Sequence, residues 1–188
     1  MAECLLAPGR SWSRRDGATA DGLSRPRTRG PSGEGCADHR YVDGWELAQV
    51  NVAEAVAPLS SPRLAGFLEL LVPLDELARR SPGFVWRPQP NEVTERDLVL
   101  FGDPSWVVVN LSVWASLAAL RDYLYGPHHA AALRRRRQWF RRPDRPGTAL
   151  WWTPAGERPT FAEAHRRLEL LRRAGPGTEA FDLRAAQL

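Results

Sequence analysis

Asn110 and Trp114 lie four residues apart in the apolar run Trp106-Val-Val-Val-Asn-Leu-Ser-Val-Trp114, whose β-branched composition is typical of a strand. Side chains alternate along a strand, so period two places Trp106, Val108, Asn110, Ser112 and Trp114 on one face. An amide can hydrogen-bond a phenolate or a carbonyl, and an indole offers a flat apolar surface to a ring. The pair therefore indicates a pocket for an aromatic molecule, with Asn110 and Trp114 as candidate catalytic residues. The alternative is a core tryptophan beside an asparagine that bonds a loop.

His129 follows Pro127, where we expect a helix to begin, and shares a helix side with Leu133, Arg136 and Phe140. Histidine is the side chain that titrates near neutral pH without perturbation, so His129 is a candidate acid–base group or iron ligand. A histidine that is merely packed or exposed to solvent is the commoner situation.

The run Arg134-Arg-Arg-Arg137 spans more than one helical turn, so its four guanidinium groups cannot all face one partner. We single out Arg136 as the group that binds an anionic part of a substrate or a haem propionate. A solvated face whose arginines pair with acids is the alternative.

The chain is rich in tryptophan, and three indoles are candidate substrate contacts: Trp86, Trp139 and Trp151. Trp151 and Trp152 are adjacent in a predicted strand, so they must face opposite sides of the sheet. We expect one to line a cavity and the other to pack beneath helices.

Composition excludes several classes of function. A length of 188 residues with 43% hydrophobic residues fits one domain, and a net charge of +4, spread over 26 basic and 22 acidic residues, does not indicate nucleic acid. Cys4 and Cys36 both precede the predicted domain, which leaves it without a disulfide, a thiolate nucleophile or a cysteine zinc site. Hydrolase, nucleotide and zinc-protease motifs are absent, and so is an apolar run long enough to cross a membrane. We expect a cytoplasmic protein.

Two regions differ in composition. Residues 1–44 are rich in Gly, Ser, Pro and Arg and lack a helix or strand period, so we expect a disordered leader. Residues 45–188 form the predicted domain. Met1 is the only methionine and Val42 precedes the first predicted strand, so an incorrectly assigned translation start, with the natural start at Val42, is a hypothesis for the leader.

The periodicity of the domain predicts a ferredoxin-like β-α-β-β-α-β order within an α+β fold, with an appended C-terminal helix. Predicted strands cover 45–52, 84–87 with a continuation at 97–101, 106–114 and 147–153, with a short edge at 181–183, and predicted helices cover 61–80, 116–125, from 127 onward and 160–174. We expect a kink at Pro73 and a capping box formed by Thr160 and Glu163. Helices should cover one sheet face and a second copy the other, which gives a homodimeric barrel.

Several ordered motifs resemble a known family. They are Gln49-Val-Asn-Val52, Ser81-Pro-Gly-Phe-Val-Trp-Arg87, Asn110-Leu-Ser-Val-Trp114, His129 with Arg134-Arg-Arg-Arg-Gln-Trp-Phe140, and Leu150-Trp-Trp-Thr-Pro-Ala-Gly156. Together they resemble the bacterial family called domain of unknown function 3291. That family is similar to the dimeric α/β-barrel superfamily, which includes cofactor-independent antibiotic-biosynthesis monooxygenases and haem-degrading enzymes. The resemblance implies a pocket in which Asn51, Trp114 and His129 take part.

The resemblance and the residues together favour a small dimeric enzyme that carries out a monooxygenase-like oxidative step on an aromatic or polycyclic metabolite. Asn51, Asn110 and Trp114 would position the substrate, and His129 and Arg136 would supply acid–base and anion-binding groups. We expect no cofactor. A haem protein with His129 as the iron ligand is the first alternative, and a non-catalytic dimer that holds a hydrophobic ligand is the second.

Overall fold

A four-stranded antiparallel sheet forms the centre of the fold in the computed structural model, which describes residues 44–187. The strands are β1 (Trp45–Glu54), β2 (Phe84–Trp86), β3 (Val107–Trp114) and β4 (Thr148–Pro154), in the order β2-β3-β1-β4. The predicted α+β class and the ferredoxin-like element order are confirmed. The proposed disordered leader and the proposed start at Val42 fall on residues 1–43, outside the described residues.

Five α-helices connect or follow the strands within residues 44–187. They are α1 (Ala65–Arg80), α2 (Glu95–Val99), α3 (Leu117–Tyr125), α4 (Pro127–Arg135) and α5 (Phe161–Ala174). Ser116 caps α3 by accepting a hydrogen bond from the Ala119 amide, and α1 continues through Pro73. None of the helices in this part of the chain is long and apolar enough to cross a membrane.

The strand register divides the sheet into two chemically different faces. Leu47 pairs with Trp114, Gln49 with Ser112 and Asn51 with Asn110, so these side chains share one face, as the period-two pattern predicts. Leu47 and Trp114 on this face pack with Leu117 and Leu120 of α3, and Val108 packs with Phe67 of α1. We call it the polar face because its centre carries amide and hydroxyl groups.

The opposite face packs against α5. Ala48, Val50, Leu111, Val113 and Trp151 are buried there with Phe161, Ala164, Leu168 and Leu171 of α5. The prediction that helices cover only one face is therefore wrong, because the chain supplies its own cover for the second face. The homodimer stays a prediction, but this face is not available to a second copy while α5 occupies it.

The connection between β2 and β3 differs from the predicted hairpin with a strand at 97–101. A 3₁₀ turn spans Pro90–Glu92, and α2 follows. Thr94 caps α2 by accepting from the Asp97 amide, and the Asp97 carboxylate accepts in turn from the Thr94 amide. This capping box starts a helix where the apolar residues that follow also fit a strand.

Similar reciprocal capping was expected at α5, and half of it is present. The Thr160 hydroxyl accepts a hydrogen bond from the Glu163 amide. The Glu163 carboxylate instead accepts from Arg167, one turn further along the helix. The short edge predicted near the C-terminus is present as a bridge in which Phe181 and Leu150 exchange two backbone hydrogen bonds.

Gly83 brings α3 close to the turn between α1 and β2. Its φ of 76° lies in the left-handed region, which favours glycine. A Cβ atom at this position would lie 2.5 Å from the Cβ of Ala119 in α3. The close approach therefore depends on the missing side chain, and it helps to hold α3 against the sheet.

Truncation of a core residue in α5 tests the covering of the second face. Leu168 is 0% exposed, so Leu168→Ala should lower the free energy of unfolding by about 2–5 kcal/mol in urea denaturation. Leu100→Ala is the control, because Leu100 is 40% exposed and should cost no more than about 0.5 kcal/mol. Equal effects of the two substitutions would mean that α5 does not pack on the sheet as described.

Candidate active site

A cavity of about 430 Å³ lies between the polar face of the sheet and the helices above it. This volume is in the range of small-molecule sites. Gln49, Asn51, Asn110 and Thr148 contribute polar groups from the sheet. The helical wall is mostly apolar or aromatic and is formed by Phe67, Leu68, Leu71, Leu74, Tyr123, Leu124, Leu133, Trp139 and Phe140.

The cavity also extends around the edge of β3. β2 ends at Trp86 and pairs with β3 only through Phe84 and Trp86, opposite Trp114 and Val113. Beyond this point the lining includes Val93, Val109, Leu111 and Phe161, which belong to the core on the α5 side of the sheet. Val107, on the same strand face as Val109, and Leu98 of α2 also line it. We call this extension the side limb.

Asn51 and Asn110 are direct partners in the β1–β3 register, so their amides lie side by side on the floor of the cavity. The Asn51 Nδ2 donates to Thr148 Oγ1 over 2.7 Å, which fixes that amide. Within residues 44–187 no hydrogen bond to the Asn110 side chain is present, and the residue is half-buried. Asn110 therefore presents both a donor and an acceptor to a molecule in the cavity.

His129 presents one nitrogen to the cavity with its protonation state defined by a neighbour. Its Nδ1 lies 3.2 Å from the carbonyl oxygen of Leu124, and a carbonyl can only accept, so Nδ1 carries the proton. Leu124 is in the last turn of α3, where carbonyl groups lack helical partners. The Nε2 atom of neutral His129 is then an acceptor. Burial lowers the pKa of His129 below 6.5, although the hydrogen bond to Leu124 acts in the opposite direction.

Tyr123 is a cavity residue that the sequence analysis did not identify. Its ring lies between those of Trp114 and His129, with centroid distances of 5.0 and 4.6 Å. Burial raises the pKa of its hydroxyl to about 12, and the opposing charges of Arg87 and Asp75 make smaller contributions. The hydroxyl therefore stays protonated at neutral pH, and it donates to the Leu74 carbonyl over a long 3.4 Å.

Arg87 and Asp75 form an ion pair in the cavity wall that was also not predicted. The Arg87 guanidinium donates to Asp75 Oδ1, and the Nε atom of Arg79 donates to Asp75 Oδ2 over 2.8 Å. Asp75 is shared by the Arg87 and Arg79 guanidinium groups, so both cations in this part of the wall are ion-paired.

Trp114 does not line the cavity, which corrects the expectation that it contacts a substrate. It is 1% exposed, stacked beneath Tyr123, with Phe84 at its edge. Its Nε1 donates to Ser112 Oγ over 3.0 Å, and the Ser112 hydroxyl donates to Gln49 Oε1 over 3.1 Å. Trp114 therefore acts on the cavity only through Tyr123.

The other predicted residues divide into two groups. Trp139 and Arg136 line the cavity; Trp139 packs on Phe67, and Arg136 is exposed and makes no ion pair within residues 44–187. Trp86 and Trp151 do not line it. Trp151 is buried under α5, and Trp86 packs at the edge of that core with Arg158 over its ring. As predicted, Trp151 and Trp152 face opposite sides of the sheet. Neither lines the cavity, because Trp152 packs near Phe181.

The comparisons with known proteins identify the family. Residues 46–187 match the family described as Domain of unknown function (DUF3291). The chain belongs to this family. No curated protein matches the sequence.

Three solved structures resemble the chain over part of its length. SnoaB, a cofactor-independent oxygenase from Streptomyces nogalater, is 20% identical with a TM-score of 0.40, over 60% of this chain and 95% of its own. NE2512, a protein of unknown function from Nitrosomonas europaea, is 16% identical with a TM-score of 0.39, over 62% and 97%. A protein provisionally named as an antibiotic biosynthesis monooxygenase, from Chloroflexus aurantiacus, is 19% identical with a TM-score of 0.36, over 61% and 98%.

The state of His129 can be tested by following its ring signals in NMR spectra against pH. We expect a pKa below 6.5 and, at neutral pH, a proton on Nδ1, because burial disfavours the imidazolium. Protonation then favours the unfolded chain, so the contribution of His129 to stability is present above pH 6.5 and is lost as the pH falls through its folded pKa. His128→Gln assigns the neighbouring signal. A pKa at or above 6.5 would contradict the described burial.

Proposed function

We propose that this protein is an enzyme that removes a proton from an aromatic substrate and thereby promotes its oxidation by dioxygen. The observation that carries the proposal is the placement of a neutral imidazole and a free amide in one mainly apolar cavity. His129 Nε2 can accept a proton, and Asn110 can donate to an oxygen that becomes negative. The apolar walls accommodate rings and strengthen both interactions by excluding water.

The chemistry of the step follows from these two groups. A phenolic or anthrone-like substrate loses a proton to His129, and the electron-rich anion reacts with dioxygen, which is the oxidant. For anthrone, the methylene group becomes a carbonyl: one oxygen atom enters the product and the other leaves as water with the two methylene hydrogens. Asn110 stabilises the developing oxyanion, and Asn51 is fixed beside it by Thr148.

The remaining cavity residues have supporting roles in this proposal. Trp139 contributes an apolar wall, and Arg136 is the cation available for an anionic substituent. Tyr123, protonated at neutral pH, supports the imidazole ring through its contact with His129. Trp114 holds Tyr123 from below, which makes it a positioning residue.

Dioxygen consumption with anthrone as the substrate tests the proposal. We expect the purified protein to convert anthrone to anthraquinone, with Asn110→Ala lowering kcat roughly a hundredfold because an oxyanion donor is lost. His129→Gln should lower it by a similar or larger factor because the proton acceptor is lost. Asn91→Ala and His128→Gln are matched controls, since both residues are exposed and neither lines this cavity.

Binding of 1-naphthol, measured by calorimetry, separates the possible outcomes. Binding without any oxygen uptake would favour the alternative of a non-catalytic ligand-binding protein. Turnover that Asn110→Ala and His129→Gln leave unchanged would place the chemistry elsewhere. The absence of both binding and turnover would remove the proposal.

A haem protein is the second candidate, and the state of His129 favours it as well. Histidines that ligate a metal usually donate their other ring N–H to a carbonyl or carboxylate, as Nδ1 of His129 does to Leu124. His129 Nε2 would hold the iron and Arg136 would face a propionate, and the bound group would supply an iron centre for oxygen chemistry. Within residues 44–187 no cluster of three or more His, Cys, Asp or Glu side chains is placed to hold a metal ion by itself.

Titration with haemin decides this second candidate. If haem binds at His129, a Soret band should form at one equivalent, His129→Ala should abolish it, and His128→Ala should leave it intact. A spectrum identical to that of free haemin would eliminate the haem protein.

A further inference from the structure

The side limb of the cavity has no role in the proposed proton transfer. It begins where β2 ends at Trp86, so that the edge of β3 from Val107 to Leu111 has no strand beside it. The lining crosses this edge: Asn110 is on the polar face, and Val109, its neighbour in the strand, is on the α5 side. A molecule that fills both parts must therefore bend around a strand edge.

The chemistry of the side limb is uniform. The side limb is lined by Val93, Leu98, Val107, Val109, Leu111 and Phe161, and none of these side chains is polar. At the junction with the main cavity, Arg87 is ion-paired with Asp75, which also pairs with Arg79. Such a lining binds aliphatic or aromatic groups and rejects charged ones.

The bend in the cavity favours an aliphatic group over an aromatic one in the side limb. A fused ring system is planar and cannot pass around the edge of a strand, whereas an alkyl or prenyl chain can rotate about each of its single bonds. The polar part of the same ligand would remain beside Asn110 and His129, where hydrogen-bonding groups are available. The two parts of the cavity therefore fit the two ends of one amphipathic molecule.

We propose that the substrate is an aromatic compound that carries an aliphatic tail, with the phenolic ring beside Asn110 and His129 and the tail in the side limb. This inference rests on the proposed function and specifies its substrate class. Leu98 of α2 is then a specificity-determining residue, because it forms part of the wall around the tail.

Calorimetric titration with 4-alkylphenols, from 4-methylphenol to 4-octylphenol, tests the proposal on the unmodified protein. Each methylene group buried in the side limb should tighten binding by up to about fourfold, which corresponds to the usual free energy of transfer of one methylene. The gain in affinity per methylene group should stop once the tail fills the side limb. A constant affinity across the series would overturn the tail site.

Two neighbouring substitutions in α2 provide a matched comparison. Leu98→Trp should fill the limb and remove the dependence of affinity on tail length. Val99→Trp introduces the same side chain at the next position of the same helix, but Val99 is 56% exposed and does not line the cavity, so the dependence on tail length should persist. Val93→Trp narrows the limb from the segment that precedes α2 and should also remove the dependence on tail length. It takes the place of Leu98→Trp if that variant does not fold.

The outcomes distinguish this inference from the proposed function. Binding of 4-methylphenol that requires Asn110, without any gain from longer tails, removes the tail site and retains the catalytic proposal. A gain with tail length that Leu98→Trp and Val93→Trp both leave intact also removes the tail site. Tail-dependent binding together with no oxygen uptake from anthrone supports the tail site and contradicts the proposed reaction.

Discussion

The candidate active site depends on the column of three rings formed by Trp114, Tyr123 and His129. These residues belong to β3, α3 and α4, so the column connects the sheet to two of the helices that lie over the cavity. Its inner end is fixed, since Trp114 is buried and hydrogen-bonded through Ser112 to Gln49. Rings in contact at these distances attract each other and exclude water. The position of the imidazole is therefore set from the sheet, through a tryptophan that a ligand does not reach.

The two faces of the sheet are formed by the same strands but differ in how completely they are packed. Small and branched residues such as Ala48 and Val50 let α5 pack tightly on one face, which gives the domain its main core. On the other face, Gln49, Asn51 and Asn110 interrupt the apolar surface, and a complete core cannot form over them. The cavity is the result. A chain that covers both of its sheet faces does not need a second copy to complete its core, so the predicted homodimer would have to use another surface.

The sequence was sufficient to predict β1 and β3, because period-two alternation over eight or more residues assigns each side chain to a face. It was not sufficient at 97–101, where apolar residues fit a strand or a helix and the capping box at Thr94 decides. Asn110 and His129 could be identified because their side chains carry chemistry, and Asn51 could be identified through the family resemblance. Tyr123 and Asp75 could not, since each is unremarkable in a helix until packing places it beside the cavity. Trp114 was misplaced because alternation gives the face of a residue and not its depth, and Trp151 was misplaced because it lies on the face that α5 covers.

The partner of His129 Nδ1 is a main-chain carbonyl, and this has a consequence for how the protein can change. Any residue at position 124 would retain that carbonyl, so no side-chain substitution there can delete the hydrogen bond that fixes the tautomer. The end of α3 keeps the carbonyl available because Gly126 and Pro127 separate the two helices, and proline has no N–H to donate. The walls of the cavity can therefore diversify by single substitutions toward new ligands, while the hydrogen bond that fixes the tautomer of His129 is kept by the backbone.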